Sequence, residues 1–412
     1  MRKAITWLIL VIFLAMILSL SACRPGVDKK ELLIESWLIG ENWRYGPQAI
    51  WGDIAVGAQY IFGDGLEEQY ISTHNLRTGE KQRLLDFDPK SFRVSEPSIH
   101  ENRIVWSSVN ISEKRLDASL NWLELNWDVF LLDLKTNQVQ QITTEEHAQI
   151  EPRIYGDTIV WLDARHKTGD AYPTLFDVYA YDLKTNQERR LTSTTSIKEQ
   201  ALGISGNLVV WSDSRHAKPV SIDHPSVTDQ NNEIYVYDLV TNSERRITEN
   251  PGNDCYPAIE DRRIVWWREW KVREADIFLY DMKSSQETRI SKSRYAANCA
   301  PAVYQDRIVW ADARISRGNT SGDVMEGGKS GADNVYLSGA AEIYLYDIGT
   351  KQETLLVPSQ TESEHTMKVS GKDAKFVDRQ VWLRPVICGD FILYEKATMV
   401  RYSTYAMKLT SK

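Results

Sequence analysis

The sequence predicts an all-β chain folded as a β-propeller, most simply seven four-stranded blades closed by an N-terminal strand. Three observations carry this. An Ile-Val-Trp strand signal recurs along the chain, a Tyr-x-Tyr-Asp-Leu signal alternates with it, and an unclaimed apolar strand precedes the first repeat while the last repeat lacks its fourth strand. Self-similarity at a fixed period marks architectures in which one unit cannot bury its own faces and must stack on its neighbours.

The first signal reads Ile104-Val105-Trp106, Ile159-Val160-Trp161, Val209-Val210-Trp211, Ile264-Val265-Trp266 and Ile308-Val309-Trp310. Each follows a Pro-x-Ile-like stretch and a polar turn, as in Pro152-Arg153-Ile154-Tyr155-Gly156-Asp157. Weaker copies begin at Pro47 and Pro385. The second signal reads Val178-Tyr179-Ala180-Tyr181-Asp182-Leu183, Ile234-Tyr235-Val236-Tyr237-Asp238-Leu239 and Ile343-Tyr344-Leu345-Tyr346-Asp347-Ile348, with related copies at Val129 and Ile277. These β-branched and aromatic runs are strands. Turns such as Thr185-Asn186 follow, because Asn tolerates the positive φ of tight hairpins. A further strand ends in Arg189-Arg190-Leu191-Thr192 or Arg245-Arg246-Ile247-Thr248.

Seven such units fit between Pro47 and the end, and the seventh stops at Leu409. The segment Leu32–Ile39 has no unit of its own and is expected to complete the seventh blade, hiding sheet edges that would otherwise pair with other chains. The poorly matching end units leave open six blades plus accessory strands.

Composition narrows the class of function. The 412 residues carry a formal charge of −8, which argues against a nucleic-acid partner. Arg2 and Lys3 precede an apolar run from Ala4 to about Leu20, ending in Leu20-Ser21-Ala22-Cys23. A charged start, an apolar stretch and small residues at the end are the anatomy of a secretory signal. The last four residues resemble a bacterial lipobox, so Cys23 is the expected lipidation site. The expected organisation is a lipoprotein signal peptide over 1–22, a lipidated linker over 23–30 and one propeller domain over 31–412. The membrane would then be reached through the N-terminal lipid only.

The order Pro-x-Ile, Ile-Val-Trp-x-Asp-x-Arg, Ile-Tyr-x-Tyr-Asp-Leu, Arg-Arg-Leu-Thr resembles the TolB-like propeller repeat over about residues 45–410. Trp161-Leu162-Asp163-Ala164-Arg165, Trp211-Ser212-Asp213-Ser214-Arg215 and Trp310-Ala311-Asp312-Ala313-Arg314 carry the resemblance most clearly. It implies the fold and leaves function open, because such propellers serve as partner scaffolds, enzyme gates and occasionally lyases. The stretch between Cys23 and Pro47 is too short for the N-terminal α/β domain of TolB itself.

Candidate sites follow from where the repeat is obeyed and where it breaks. The pairs Asp163/Arg165, Asp213/Arg215 and Asp312/Arg314 obey it, and are expected to join neighbouring blades or fix the following loop. Insertions over 107–128, 165–177, 215–233 and 314–342 break it on one face of the disk, where binding residues tend to sit. Trp122, Trp127, Tyr172, Trp267 and Trp270 are candidates there for stacking on sugars or anchoring a protein. His166 and His216 are repeat-equivalent and belong to the same candidate face. Cys255 and Cys299 share a repeat position, and an exported chain permits a disulfide between them. No cofactor, metal set or catalytic residue is assigned, since nucleophile-elbow, phosphate-loop and metal-ligand spacings are all missing. The expectation is a binding or scaffold module for an envelope protein or glycan. A lyase-like enzyme acting on a polysaccharide at the channel mouth is the alternative.

Overall fold

The computed structural model describes residues 32–41, 49–63, 66–112, 125–166, 175–192, 196, 202–216, 231–271, 274–291, 300–312, 342–358, 363–369, 372–378, 381–397 and 402–411. Among them every regular element is a strand, and none is a helix long and apolar enough to cross a membrane.

Seven antiparallel sheets form the blades. Blade 1 holds Ala49–Trp51, Ile54–Gly63, Leu66–Asn75 and Lys81–Phe87, and blade 3 holds Gln149–Tyr155, Thr158–Asp163, Asp177–Asp182 and Gln187–Arg190. Blade 4 holds Gly203–Ser205, Leu208–Asp213, Glu233–Asp238 and Ser243–Arg246, and blade 5 holds Asn253–Glu260, Arg263–Lys271, Glu274–Asp281 and Gln286–Arg289. Blade 6 holds Ala302–Tyr304, Arg307–Asp312, Glu342–Asp347 and Gln352–Val357. In blade 2 the first strand is split into Phe92–Val94 and Ser98–His100, followed by Arg103–Asn110, Asp128–Asp133 and Gln138–Gln141. The first strands neighbour one another in blade order around the axis, blade 7 returning to blade 1.

Blade 7 takes three strands from the end of the chain, Val381–Cys388, Phe391–Ala397 and Tyr402–Ser411. Its fourth is Leu32–Glu41, antiparallel to Tyr402–Ser411 with Leu32 opposite Ser411 and Glu41 opposite Ser403. The ring is thus seven-bladed and closed by the N-terminal strand. A separate hairpin, Ser363–Val369 with Lys372–Asp378, follows blade 6 and precedes blade 7 in the chain.

The Ile-Val-Trp signal is apolar at every position because both faces of a blade are buried. Successive side chains of a strand point to opposite faces. Ile159 and Trp161 therefore pack back onto blade 2, while Val160 packs forward onto blade 4. The same holds for Trp106 on blade 1, Trp211 on blade 3, Trp266 on blade 4 and Trp310 on blade 5. All five indoles are essentially inaccessible. Each stacks on the aromatic ring directly across on the third strand, as Trp161 does on Tyr179 at 5.9 Å and Trp266 on Phe278 at 5.9 Å. Burial on this scale makes a Trp→Ala change worth about 3–5 kcal/mol at each seam.

The Tyr-Asp-Leu signal encodes the turn between the third and fourth strands. Asp182 Oδ1 accepts the N–H groups of Lys184 and Thr185 at 2.8 and 3.0 Å, and Asn186 then sits at φ 55°. Asp133, Asp238 and Asp281 do the same in their blades. The Thr that ends the repeat is also used. Thr192 Oγ1 accepts the Val178 N–H at 3.1 Å and donates to buried Asp177 at 2.9 Å, and Arg190 closes the group on Asp177 at 2.9 Å. Turns between first and second strands and between third and fourth strands share one face of the disk, here the turn face. Second-to-third loops and blade-to-blade connections share the other, the loop face.

Candidate binding site

The repeated charge pairs fix the loop that follows them and draw most of their partners from their own blade, while Asp213 also accepts from Ser196 Oγ, on the segment paired with Phe176 of blade 3, at 2.6 Å. Asp163 is fully buried at the end of its strand. It accepts from Trp161 Nε1 at 2.8 Å, from the Arg165 N–H at 2.9 Å and from the Arg165 guanidinium at 2.7 Å. Arg165 also reaches Glu188 on the outer strand of the same blade at 2.8 Å and lies over the Tyr179 ring at 4.3 Å. Asp213, Arg215, Glu244 and Tyr235 repeat the arrangement in blade 4. Burial alone would lower the Arg165 and Arg215 pKa values, but their carboxylate partners outweigh it and hold both guanidiniums firmly charged. Burial also pushes the Tyr235 hydroxyl up to about 12. In blade 6, Trp310 Nε1 donates to buried Asp312 at 3.3 Å, while Arg314 lies outside the described residues.

The candidate aromatics separate by exposure. Trp267 is buried between blades 5 and 6, with Tyr256 tilted against it at 6.0 Å. Trp127 is half-buried and packs beside Val109, Ile111 and Leu125. Trp270 is 41% exposed, its Nε1 donates to Asp276 at 3.1 Å and its ring lies 5.3 Å from the Arg268 guanidinium. Trp122 and Tyr172 fall outside the described residues, as do most of the insertions. His166 is exposed and its Nε2 meets Tyr179 Oη at 2.8 Å, while His216 stacks on Tyr235 at 6.3 Å. Each is thereby tied to its own blade. Among the described residues no three metal-ligating side chains gather. Cys255 is fully buried and its Sγ accepts from Asn232 Nδ2 at 3.5 Å. Cys299, its expected partner, and Cys23 lie outside the described residues.

A second set of residues was not singled out by motif. The last residue of each first strand reaches the axial mouth on the turn face. In blade order these are Trp51, His100, Tyr155, Ser205, Glu260, Tyr304 and Cys388. Six different residue types occupy this one position in the seven blades. The residue that follows each has positive φ in all seven blades, Gly in four of them and Glu101, Asp261 and Gln305 in the others. Several side chains of the ring accept the N–H of the next blade's turn. Gly156 donates to His100 Nδ1 at 3.1 Å, Asp261 to Ser205 Oγ at 2.9 Å and Gln305 to Glu260 at 3.2 Å.

His100 is sandwiched between Trp51 at 3.9 Å and Tyr155 at 4.3 Å. Since its Nδ1 accepts, its Nε2 carries the proton, and that buried Nε2 has no partner among the described residues. Burial lowers its pKa and keeps the ring neutral. On the other side of the mouth, burial raises the Cys388 thiol and the Tyr304 hydroxyl.

A cavity of about 490 Å³ opens from this mouth across the seam of blades 7 and 1, lined by Trp51, Arg77, Tyr304, Cys388, Phe391 and Lys408 among others. This seam lacks a brace that three of the others carry. At three other seams an Arg at the start of the second strand braces the next blade's turn, as Arg103 does on Gly156 O at 3.0 Å and Asp157 at 2.7 Å. Arg263 and Arg307 are the other two. Blade 7 has Phe391 at that position, turned against Trp37 of the closing strand. Asp53 is held instead by Arg77 of its own blade at 2.7 Å. Arg77 holds the Asp53 carboxyl below the usual range.

No protein-family model matches the sequence, and no curated protein matches it. Solved structures do match. The β-propeller domain of the Trilobed protease from Pyrococcus furiosus is 12% identical, with 90% of this chain and 98% of that one covered and a TM-score of 0.53. A puromycin hydrolase is 10% identical over 86% of this chain, TM-score 0.51, and this chain spans half of it. TolB from Acinetobacter baumannii is 14% identical over 87% of this chain and 83% of that one, with a TM-score of 0.38. At these identities the first two show the β-propeller fold alone, and the overlap with TolB is too loose to bear on function.

Proposed function

We propose that this chain is a lipid-anchored, extracytoplasmic β-propeller that serves as a binding and scaffold module of the cell envelope for a protein or a glycan. One observation carries the reading. Charges that obey the repeat are consumed by the scaffold, inside blades in groups such as Asp163–Arg165–Glu188 and across seams in pairs such as Arg103–Asp157, while variation is concentrated at the axial mouth and in the loop insertions. Repeat architectures reuse residues for structure, so a binding surface is expected where the blades differ. The sequence signal ending at Cys23 supports the location.

Cross-linking on intact cells, with the linked peptides mapped, tests this. The expected result is one recurrent envelope protein joined through 107–128, 215–233 or 314–342, or retention of an envelope glycan by the purified chain. Capture no better than a control lipoprotein, together with no glycan retention, overturns the reading.

A second reading, a polysaccharide-active enzyme, draws on the convergence of His100, Glu260 and Tyr304 at one mouth. It requires that envelope or plant-type polysaccharides be shortened by the protein, and that His100→Ala or Glu260→Gln abolish this without unfolding the ring.

A further inference from the structure

We infer that the turn face, with its axial mouth and cavity, is held against the membrane, and that the loop face with the long insertions is presented away from it. The inference rests on the lipid-anchored reading and adds an orientation to it. The closing strand carries the argument. Tyr402–Ser411 is the third strand of blade 7, so it runs from the loop face to the turn face, as Asp177–Asp182 does in blade 3. Leu32–Glu41 is antiparallel to it, and Leu32 pairs with Ser411. The chain therefore enters the disk at the turn face, beside Lys408 and Thr410 of the cavity wall.

Reach decides between the two orientations. Eight residues separate Cys23 from Leu32, and the nine Cα steps between the two span at most roughly 30 Å when fully extended. Tyr402–Ser411 is ten residues long and rises about 30 Å from one face of blade 7 to the other. A tether leaving the turn face would use its whole length to reach the loop-face rim, with nothing left to clear it. Facing the membrane with the turn face needs no such detour. The surface is polar enough to lie at lipid headgroups. Lys184 and Lys283 stand on the turn-face loops of blades 3 and 5, 76% and 66% exposed, each paired with Asp157 or Asp261 of its own blade.

The test uses the full-length lipidated chain reconstituted in vesicles of phosphatidylethanolamine and phosphatidylglycerol with an acceptor dye on the lipid. A donor dye is placed through Thr136→Cys or Thr241→Cys on the turn face, and through Glu145→Cys or Glu249→Cys on the loop face, all four positions being exposed. Cys299→Ser is included throughout, and Cys255 and Cys388 are buried. Energy transfer from both turn-face positions should exceed that from both loop-face positions by about twofold or more, since the faces are separated by about 20–30 Å of strand. Equal or reversed transfer, with all four variants in the vesicle fraction, overturns the orientation and leaves the anchor standing. If the chain fails to partition into vesicles and behaves like its Cys23→Ser variant, the anchored reading falls, and the orientation with it.

Discussion

Arg268 stands two residues after Trp266, where blades 3 and 4 carry Asp163 and Asp213, and its partner Asp254 reaches it from the first strand of the same blade, Nε to Oδ1 at 2.5 Å. Trp266 Nε1 donates to that same Asp254 at 2.8 Å, and Glu287 on the outer strand takes the other side of the guanidinium at 2.8 Å. Blade 5 thus builds the Trp–Asp–Arg–Glu group with the base still supplied by the second strand and the acid moved to the first. Burial pushes the Asp254 carboxyl up to about 6 against the pull of Arg268.

Breaking this pair from one side should be costly. Arg268→Met leaves a carboxylate in a site with no solvent, and losing one partner of a buried pair costs about 3–5 kcal/mol. Urea unfolding should show that loss for Arg268→Met, and the double variant Asp254→Asn/Arg268→Met should recover part of it. Single-variant losses under about 1 kcal/mol would mean that the pair is solvated.

The indoles differ in one respect that can be measured. Trp161 Nε1 has its acceptor on Asp163, whereas Trp106 Nε1 is buried with no partner among the described residues. Trp161→Phe removes a hydrogen bond to a charged group, worth about 1.5–3 kcal/mol, and Trp106→Phe removes none. Thermal or urea midpoints should therefore fall further for Trp161→Phe. Equal losses would count against the assigned Trp161–Asp163 bond as a stabilising contact.

Backbone strain should be relieved at the first turn of blade 6. Gln305 sits at φ 51°, where four of the other blades use Gly. Gln305→Gly is expected to gain about 0.5–1 kcal/mol, as the left-handed penalty of a side chain exceeds the extra entropy of an unfolded Gly. A drop in the unfolding midpoint would show that the Gln305 side chain makes a contact of greater worth.

Acid should loosen the seam of blades 7 and 1. Burial brings His74 down to about 4, and Lys81, opposite it, donates its Nζ to Ile39 O of the closing strand at 2.9 Å. The folded pKa lies below the unfolded value of about 6.5, so the unfolded chain binds more protons and stability falls as pH drops from 6.5 towards 4. The loss is about 1–2 kcal/mol by pH 5. Asp254 acts in the opposite sense below pH 6, so the contrast between wild type and His74→Asn isolates the histidine. Parallel pH profiles for the two proteins would refute its role.

The fold was legible because its signals are local and repeated. Ile-Val-Trp states that both blade faces are buried, and Asp-Leu-x-Thr-Asn writes a turn that Asp182 and Asn186 go on to make. The closing strand was legible by counting, since Leu32–Ile39 and the missing outer strand of the last unit fill one another. Three features escaped. The hairpin Ser363–Val369 with Lys372–Asp378 has no Trp and few β-branched residues, so no repeat announces it. The pair in blade 5 could not be read because Asp254 and Arg268 meet only across two strands. The axial ring escaped for a different reason. Trp51, His100, Tyr155 and Cys388 share nothing but a structural position, the residue before a positive-φ turn. That turn signal, Gly-Asp or its equivalents, was present in the sequence and would have located them.

The backward packing of each Trp has a consequence for how the chain is made. Trp106 docks on blade 1, Trp161 on blade 2 and so on to Trp310 on blade 5, so the neighbouring blade each indole packs against has already been synthesised when the indole itself emerges, and only the stacking ring of its own third strand is still to come. Vectorial synthesis and docking run in the same direction around the disk. The seam of blades 7 and 1 is the exception, because the first strand synthesised waits for the last one, Tyr402–Ser411, before it has anything to pair with.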